Sequence, residues 1–164
     1  DKMMAKKFGF DKVLPEDEQF FIESQKLMTD LELDYTLFFQ NLEKFAEGSL
    51  QILPLEEISY KVLIDEDHQK VGEFLIKFSA RSSKNTILKE ESIALMKSNN
   101  PKFILRNYLL FQSIEELNEG KSDLFNELWD ALQNPYEEKY PKFSAKRPSK
   151  FDDVAGCSML SCSS

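Results

Sequence analysis

Apolar residues in this chain recur mostly at intervals of three and four positions, which is the spacing along one face of an α-helix. Glycine, which weakens helices, occurs only five times among the 164 residues. The spacing therefore predicts an all-α fold.

Two helices are predicted in the first third of the chain. Pro15 and the acidic residues after it suit the positively polarised start of a helix, and Asp34 is a good N-cap for a second one. Gly48 stands where a helix commonly ends in a left-handed residue. We expect the two helices to form a hairpin. The side chains expected to be buried are Phe20, Phe21, Leu27, Met28 and Leu31 in the first helix and Leu37, Phe38, Leu42 and Phe45 in the second.

The pattern is weaker between Pro54 and Ser83. It predicts a short helix from Leu55 to Leu63 and then a longer one. The inward face of this longer helix carries Val71, Phe74, Leu75 and Phe78. A further helix is predicted from Thr86 to Lys97, followed by the helix-breaking sequence SNNP.

The stretch NNPKFILRNYLLFQSIEELNEG, residues 99–120, is apolar on nearly every side of a helix except at Arg106 and Asn107. We expect a helix that begins at Pro101, with Asn100 as its N-cap, and ends near Gly120. A buried guanidinium is costly unless it is paired. Arg106 is therefore expected either to bond a neighbouring helix or to reach across an interface to another domain.

A last helix is predicted between Ser122, as its cap, and Asn134, where a proline follows. Its apolar face comprises Leu124, Phe125, Leu128, Trp129 and Leu132. From Pro135 onward prolines recur, the helical period is lost and the chain ends in serine and cysteine. The pattern predicts a helical domain over residues 1–134 and an extended tail over residues 135–164.

Composition and charge exclude several classes of protein. Hydrophobic residues make up 41% and charged residues 30% of the chain, which is typical of globular proteins, and no apolar run approaches the roughly 18 residues of a membrane span. The net charge is −8 and basic residues form no stripe, so nucleic acid is not expected as a partner. The first residues lack a signal peptide, and the start at Asp1 rather than methionine favours a true N-terminus further upstream.

Residues that could carry out chemistry are few. Phosphate loops, nucleophile elbows and zinc-protease motifs are absent from the sequence, and His68 is the only histidine. The acidic run at residues 65–67 lacks the glycine and glutamate of a calcium loop, because Lys70 and Ile76 occupy those positions. Cys157 and Cys162 lie in the predicted tail, where exposed thiols are free to exchange disulfides.

Several of these segments resemble the C-terminal region of the selenoprotein O (SelO) family. The resemblance rests on NPKFILRNYL at residues 100–109, NPY at 134–136 and SCSS at 161–164. LDYT at residues 33–36 and the lysine-rich segment 2–10 resemble the family in the same order.

The resemblance implies a function for a longer protein. Members of this family are kinase-like enzymes that bind ATP with a divalent metal such as magnesium and transfer AMP to hydroxyl-bearing side chains of other proteins. Their active site lies in a kinase-like core upstream of this region, so the resemblance assigns no catalytic, cofactor-binding or metal-binding residue to this chain. It implies that the kinase-like core is the packing partner and that the full-length enzyme acts on protein substrates.

The resemblance also bears on the tail and on location. Cys162 stands third from the end, where the family places a residue with a redox role, whereas Cys157 is a second thiol without an assigned role. Eukaryotic members are typically mitochondrial, so a mitochondrial location is implied for a eukaryotic source, with a cytoplasmic location as the alternative.

Two other classes of function stay open. A free-standing helical interaction module would have an intact surface around Arg106, and a thiol oxidoreductase would usually have a C-x-x-C motif, which this sequence lacks. Exposed apolar area distinguishes the first class from the family hypothesis. A domain separated from its core exposes more apolar surface than the few hundred Å² typical of a monomer.

Overall fold

The computed structural model describes residues 1–154, 156 and 157. Within them the only strand-like pairing is an isolated bridge, and the all-α prediction is confirmed. No helix in this part of the chain combines the length and the apolar character needed to cross a membrane. The helices are α1 (Lys2–Lys7), α2 (Asp17–Asp30), α3 (Tyr35–Glu47), α4 (Leu55–Ile58), α5 (Asp65–Ser82), α6 (Lys89–Asn99), α7 (Asn107–Asn118) and α8 (Asp123–Gln133), followed by 3₁₀-helices at Pro141–Phe143 and Ser149–Phe151.

The chain forms two compact units, Asp1–Asn100 and Pro101–Ser164, of which the second is described up to Val154 and at positions 156 and 157. The sequence pattern placed a division after residue 134 instead. The difference arises because the residues after α8 pack with α7 and α8 rather than apart from them. Each unit has its own hydrophobic core.

Phenylalanine rings fill the core of the first unit. Phe8, at the end of α1, is completely buried, and its ring centroid lies 5.1 Å from that of Phe20 and 5.8 Å from that of Phe21, both in α2. The same ring lies 5.0 Å from Phe39 of α3 and 6.3 Å from Phe78 of α5. A residue from the short first helix therefore fills the space among three longer helices.

The helices of this unit make their closest pairs as α1 with α6, α3 with α6, and α2 with α5. The two helices that were expected to form a hairpin are α2 and α3. In the structure α2 packs mainly against α5, and α3 packs mainly against α6. Phe8 contributes to this arrangement, because its ring lies in contact distance of both helices.

The ends of α3 agree with the prediction from sequence. The Asp34 carboxylate accepts a hydrogen bond from the Leu37 N–H at 3.1 Å, as an N-cap does. Gly48 adopts a left-handed conformation with φ of 95° directly after the helix. Both features depend only on neighbouring residues, which is why the local sequence predicts them.

The helix predicted from Leu55 to Leu63 is shorter, since α4 ends at Ile58. In place of the second half of the predicted helix, the backbone forms hydrogen bonds with the segment before α3. The Asp34 N–H donates to the Ile58 carbonyl at 2.7 Å, and the Tyr60 N–H donates to the Glu32 carbonyl at 3.0 Å. These bonds hold the chain extended after α4, so the helix cannot continue.

The helix predicted to begin at Pro101 begins at Asn107, and Arg106 rather than Asn100 occupies its N-cap position. Asn100 ends α6 instead, because its N–H donates to the Met96 carbonyl at 3.0 Å. The next residues bond the end of α8: the N–H groups of Lys102 and Phe103 donate to the Pro135 carbonyl at 2.7 and 2.9 Å. A short apolar run does not distinguish a helix from a buried irregular segment.

The second unit buries part of the predicted tail. Phe143 and Phe151, each at the end of a 3₁₀-helix, are buried with their rings 5.6 Å from Phe103 and 5.4 Å from Tyr108 respectively. The prediction of an extended arm is therefore wrong for the described part of residues 135–157. The core of this unit comprises Phe103, Tyr108, Leu109, Leu128, Ala131, Phe143, Phe151 and Cys157.

Gly9 ends α1 in a conformation that side chains disfavour. Its φ is 72°, and two backbone bonds close the helix end: the Phe10 N–H donates to the Ala5 carbonyl at 2.8 Å and the Gly9 N–H to the Lys6 carbonyl at 3.0 Å. A Cβ atom at Gly9 would lie 2.7 Å from the Ser92 carbonyl oxygen. Glycine at this position allows α6 to approach the backbone closely.

We predict that Gly9→Ala lowers the free energy of unfolding of this chain by roughly 2 to 5 kcal/mol. A left-handed alanine costs about 1 to 2 kcal/mol, and a forced contact with α6 costs about 1 to 3 kcal/mol. Gly72→Ala is the matched control, since a Cβ at this helical glycine in α5 meets no atom within 4 Å. The control is expected to gain up to about 1 kcal/mol. Urea unfolding measures both, and equal effects of the two substitutions would contradict the close approach at Gly9.

Candidate functional site

The most deeply buried carboxylate of the described chain, Asp17, forms an ion pair between α2 and α5 with a buried arginine, Arg81. Asp17, the first residue of α2, has 0% exposure, and Arg81, in the last turn of α5, has 5%. Arg81 donates from Nε to Asp17 Oδ1 at 2.5 Å and from Nη2 to Asp17 Oδ2 at 2.9 Å. This two-point geometry is the strongest form of a carboxylate–guanidinium contact.

The remaining hydrogen-bonding capacity of the pair is also used. Arg81 donates to the Lys12 carbonyl at 2.8 Å and to Asn85 Oδ1 at 3.3 Å, while Asp17 Oδ2 accepts from the Leu14 N–H at 2.8 Å. The pair therefore ties the loop between α1 and α2 to both α2 and α5.

The surroundings of Asp17 lower the pKa of its carboxyl group. Burial alone would raise the pKa of this carboxyl, but the hydrogen bonds from Arg81 and Leu14, together with the charge of Arg81, outweigh burial and hold the pKa below its ordinary value. Perturbed carboxyl groups of this kind are candidates for catalytic roles. Here both oxygens are occupied by protein donors and are out of contact with solvent, so the geometry indicates a structural role.

The pairing of Asp17 with Arg81 was not predicted from the sequence. Residues 17 and 81 are 64 positions apart, and Asp17 stands in an acidic run that reads as an ordinary helix start. An arginine on the same apolar helix face as Phe74 and Phe78 was the one available signal, because a buried guanidinium needs a partner.

Polar side chains hold the N-terminal segment at two further points. The Gly9 carbonyl accepts from Ser92 Oγ at 2.6 Å and from Asn85 Nδ2 at 2.8 Å. Asn100 Nδ2 donates to the Lys7 carbonyl at 2.8 Å, and Lys7 Nζ donates back to Asn100 Oδ1 at 3.2 Å. Burial lowers the pKa of Lys7, whose Nζ lies 4.9 Å from the centroid of the Phe39 ring.

A cleft of about 520 Å³ lies beside α3, α5 and α6 in the first unit. Its volume is in the range of small-molecule pockets. Three hydroxyls of its wall already donate to backbone carbonyls, namely Ser79 to Leu75, Ser83 to Ala80 and Ser92 to Gly9. The side chains that line the cleft are Phe45, Ala46, Phe78, Ser79, Ser82, Ser83, Asn85, Ile87, Lys89, Ser92 and Ile93, which include no carboxylate, cysteine or histidine for acid–base or nucleophilic chemistry.

The structure places the two residues singled out as a structural or interface pair at the start of α7. Arg106 is 9% exposed, and its carbonyl accepts from the N–H groups of Leu109 and Leu110 at 3.0 and 3.1 Å. Asn107 is the first residue of the helix and is partly buried. An interface role for Arg106 and Asn107 stays a prediction.

The two cysteines differ in what the structure describes. Cys162, the predicted redox residue, lies outside the described residues. Cys157 was expected on an exposed arm, but it is 3% exposed, and its thiol packs in the core of the second unit. Its burial follows from the turns after Phe151, where the Cys157 N–H donates to the Val154 carbonyl at 3.0 Å.

The only histidine of the chain, His68, forms a surface contact. His68 Nε2 lies 3.2 Å from Glu56 Oε1, and both side chains are largely exposed. Over residues 1–154, 156 and 157, no cluster of His, Cys, Asp and Glu side chains is arranged to hold a metal ion. The described residues thus contain charged groups that stabilise the fold, and they bring together no set of reactive side chains.

Comparison with known proteins identifies the family. Residues 1–133 match the family described as protein adenylyltransferase SelO. A protein nucleotidyltransferase YdiU from Cytophaga hutchinsonii is 34% identical over 99% of this chain and 32% of its own length. Proteins of the same name from Xanthomonas oryzae and Tolumonas auensis are 33% and 34% identical, over 98% and 99% of this chain and 32% of their own lengths.

The chain belongs to the SelO family, because the family match covers most of its length. It spans about a third of the length of the curated relatives it matches. The resemblance inferred from NPKFILRNYL and the other segments is confirmed.

We predict that Asp17→Asn lowers the free energy of unfolding of the chain by about 3 to 5 kcal/mol at neutral pH, because the substitution leaves the Arg81 guanidinium buried without a counter-charge. Because folding lowers the Asp17 pKa, the stabilisation from its ionised form is complete above the unfolded pKa of about 3.9. That stabilisation is lost as the pH falls through the lower folded value. The deficit of the variant should therefore shrink below about pH 4.

Glu16→Gln is the matched control. Glu16 precedes Asp17 and pairs with Lys84 at 2.7 Å, but both side chains of this pair are more than half exposed. Exposed pairs contribute little to stability, so the control should unfold like the unmodified chain. Denaturant unfolding between pH 2.5 and pH 7 measures both variants. A loss of stability in Asp17→Asn that does not change with pH would contradict the coupling between ionisation of Asp17 and folding.

Proposed function

We propose that this chain is the C-terminal helical part of a protein adenylyltransferase, which transfers AMP from ATP to serine, threonine or tyrosine hydroxyls of other proteins. The observation that carries the proposal is the SelO family match over residues 1–133, together with relatives named protein nucleotidyltransferases. Because the chain spans about a third of those relatives, the proposal concerns the whole protein and assigns this chain a supporting part.

ATP and magnesium are proposed as ligands of the rest of the protein. Along the part of this chain that the structure describes, the carboxylates form no metal-binding group, and the most buried one, Asp17, is saturated by protein donors. These residues do not fit a nucleotide–metal site. No step of AMP transfer is therefore assigned to residues of this chain.

The proposed packing partner is the kinase-like core of the same protein. Large apolar side chains lie at the surface of both units, among them Ile76 and Trp129. A free-standing interaction module would have to expose them to water. Exposed apolar surface is typical of a part that is covered in a larger assembly, and it supports the adenylyltransferase proposal over the free-standing alternative.

Cys162 is the proposed redox residue of the tail. A disulfide with a cysteine of the core would form as two thiols give up two protons and two electrons to an oxidant such as oxidised glutathione. Burial of Cys157 supports Cys162 as the residue that reacts, because a buried thiol is shielded from disulfide exchange. A mitochondrial location is proposed for a eukaryotic source, by the same family resemblance.

We predict that the full-length protein containing this chain transfers radiolabel from α-³²P-ATP to acceptor proteins in the presence of magnesium, whereas this chain alone does not. The reason is that no cluster of His, Cys, Asp and Glu side chains among the described residues is arranged to hold the metal ion of a nucleotide site. Labelling of a mixed protein substrate, resolved by gel electrophoresis, measures the transfer. Label transferred by the chain alone, or a full-length protein that binds no ATP, would contradict the proposal.

We predict that Cys162→Ser removes the difference in AMP transfer between the oxidised and reduced full-length enzyme, while Cys157→Ala keeps that difference. The buried position of Cys157 makes it the matched control. Activity is measured after equilibration with oxidised or reduced glutathione. A redox response that persists in Cys162→Ser would exclude this residue as the sensor.

A further inference from the structure

A stripe of large apolar side chains lies open on α8. Phe125, Trp129 and Leu132 follow each other at intervals of four and three residues, and all three are exposed, with Trp129 at 61%. At about 100° per residue they occupy one side of the helix within roughly 60° of each other. They are distinct from the buried side of α8, which carries Leu128 and Ala131.

A second stripe with the same spacing lies on α7, the helix that packs against α8. Leu110, Ile114 and Leu117 are all exposed, with Ile114 at 50%, while Leu109 and Ser113 face the core. Together the two helices carry six exposed large apolar residues between positions 110 and 132. We call these six side chains the α7–α8 apolar surface.

The tail of the chain packs along a different side of α8. Tyr140 Oη donates to Asp130 Oδ2 at 2.6 Å, Lys139 Nζ lies 2.6 Å from the same oxygen, and Lys142 pairs with Glu127. The polar side of α8 is thus engaged by the chain itself. The described part of the tail leaves the α7–α8 apolar surface exposed.

We propose that the α7–α8 apolar surface docks against the part of the same polypeptide that lies outside this chain. This inference rests on the proposed function, because it takes the chain to be one part of a longer adenylyltransferase. About two thirds of the length of each curated relative lies outside the region that matches this chain. The six residues lie within the family match over residues 1–133.

The chemistry of the surface fits an intramolecular partner. Permanent interfaces are more apolar than transient ones, and aromatic residues such as tryptophan dominate their binding energy. The α7–α8 apolar surface has Trp129, the only tryptophan of the chain, in the middle of the α8 stripe, with no charged residue among its six members. Its occupant should therefore present an apolar groove or helix face.

Hydroxyl-radical footprinting of the native full-length protein tests the proposal. Oxidation of Trp129 is compared with its oxidation in the same protein in denaturant, and Met3, exposed in the first unit, is the internal control. We expect the native state to slow oxidation of Trp129 at least about tenfold, as for a fully desolvated interface tryptophan. Full exposure of Trp129 in the monomer would overturn the proposal.

Light scattering of the same sample distinguishes the occupants. Protection of Trp129 in a monomer, at all protein concentrations, supports docking within one polypeptide. Protection that appears only with dimer formation assigns the surface to a second copy and overturns the proposal.

A pair of substitutions in the full-length protein gives an independent readout. Trp129→Asp is expected to lower the ratio of folded to unfolded protein at least about tenfold, because it places a charge in an apolar contact. Asn126→Asp, on the exposed polar side of α8, adds the same charge and should have little effect. Equal effects of the two substitutions would contradict the docking.

The AMP-transfer assay on the same preparations separates this inference from the proposed function. If the full-length protein transfers AMP while Trp129 is exposed, the docking proposal is contradicted and the proposed function is supported. If Trp129 is protected in a monomer that transfers no AMP, the proposed function is contradicted and the docking proposal is supported.

Discussion

A salt bridge that has almost no contact with water, between Asp17 and Arg81, fixes the arrangement of the first unit. Such a pair is favourable only when every donor and acceptor around it is satisfied, and here the Lys12 carbonyl and the Leu14 N–H complete the set. The requirement links the loop before α2 and the start of α2 to Arg81 of α5, which follows Asp17 by 64 residues and Lys12 by 69. The phenylalanine cluster around Phe8 can then pack, because the N-terminal segment that carries Phe8 is held against α2 and α5.

The features predicted correctly from sequence are those that depend on adjacent residues. Asp34 and Gly48 end their helix as expected, since an N-cap and a left-handed terminus each involve only a few neighbours. The start of α7 was predicted six residues too early, because Lys102 and Phe103 bond to Pro135, a residue more than thirty positions away. Burial of Cys157 could not be predicted either, since the 3₁₀-helices that carry its neighbours into the core leave no period in the sequence.

The candidate site shows the same division between local and distant information. That Arg106 would be buried followed from its apolar surroundings, and the energetic need for a partner followed from its charge. The ion pair between Asp17 and Arg81 could not be predicted, because the sequence around each residue gives no indication of a partner 64 positions away. The family resemblance came in part from NPKFILRNYL, and the described residues of the chain contain no cluster of side chains arranged to hold a metal ion. A segment can therefore indicate the family of a protein without such a cluster.

The bonds that Lys7 and Gly9 make with α6 and Asn100 affect the order in which the first unit can fold. The side chains of Ser92 and Asn100 reach carbonyls that precede them by 83 and 93 residues. A growing chain therefore exposes Phe8 and Phe10 until almost the whole unit has been synthesised. Contacts of such long sequence separation slow folding and prolong the exposure of apolar surface. Within the first unit, the residues that are synthesised first are thus among the last to be buried, and chaperone binding near Phe8 would protect the nascent chain during that interval.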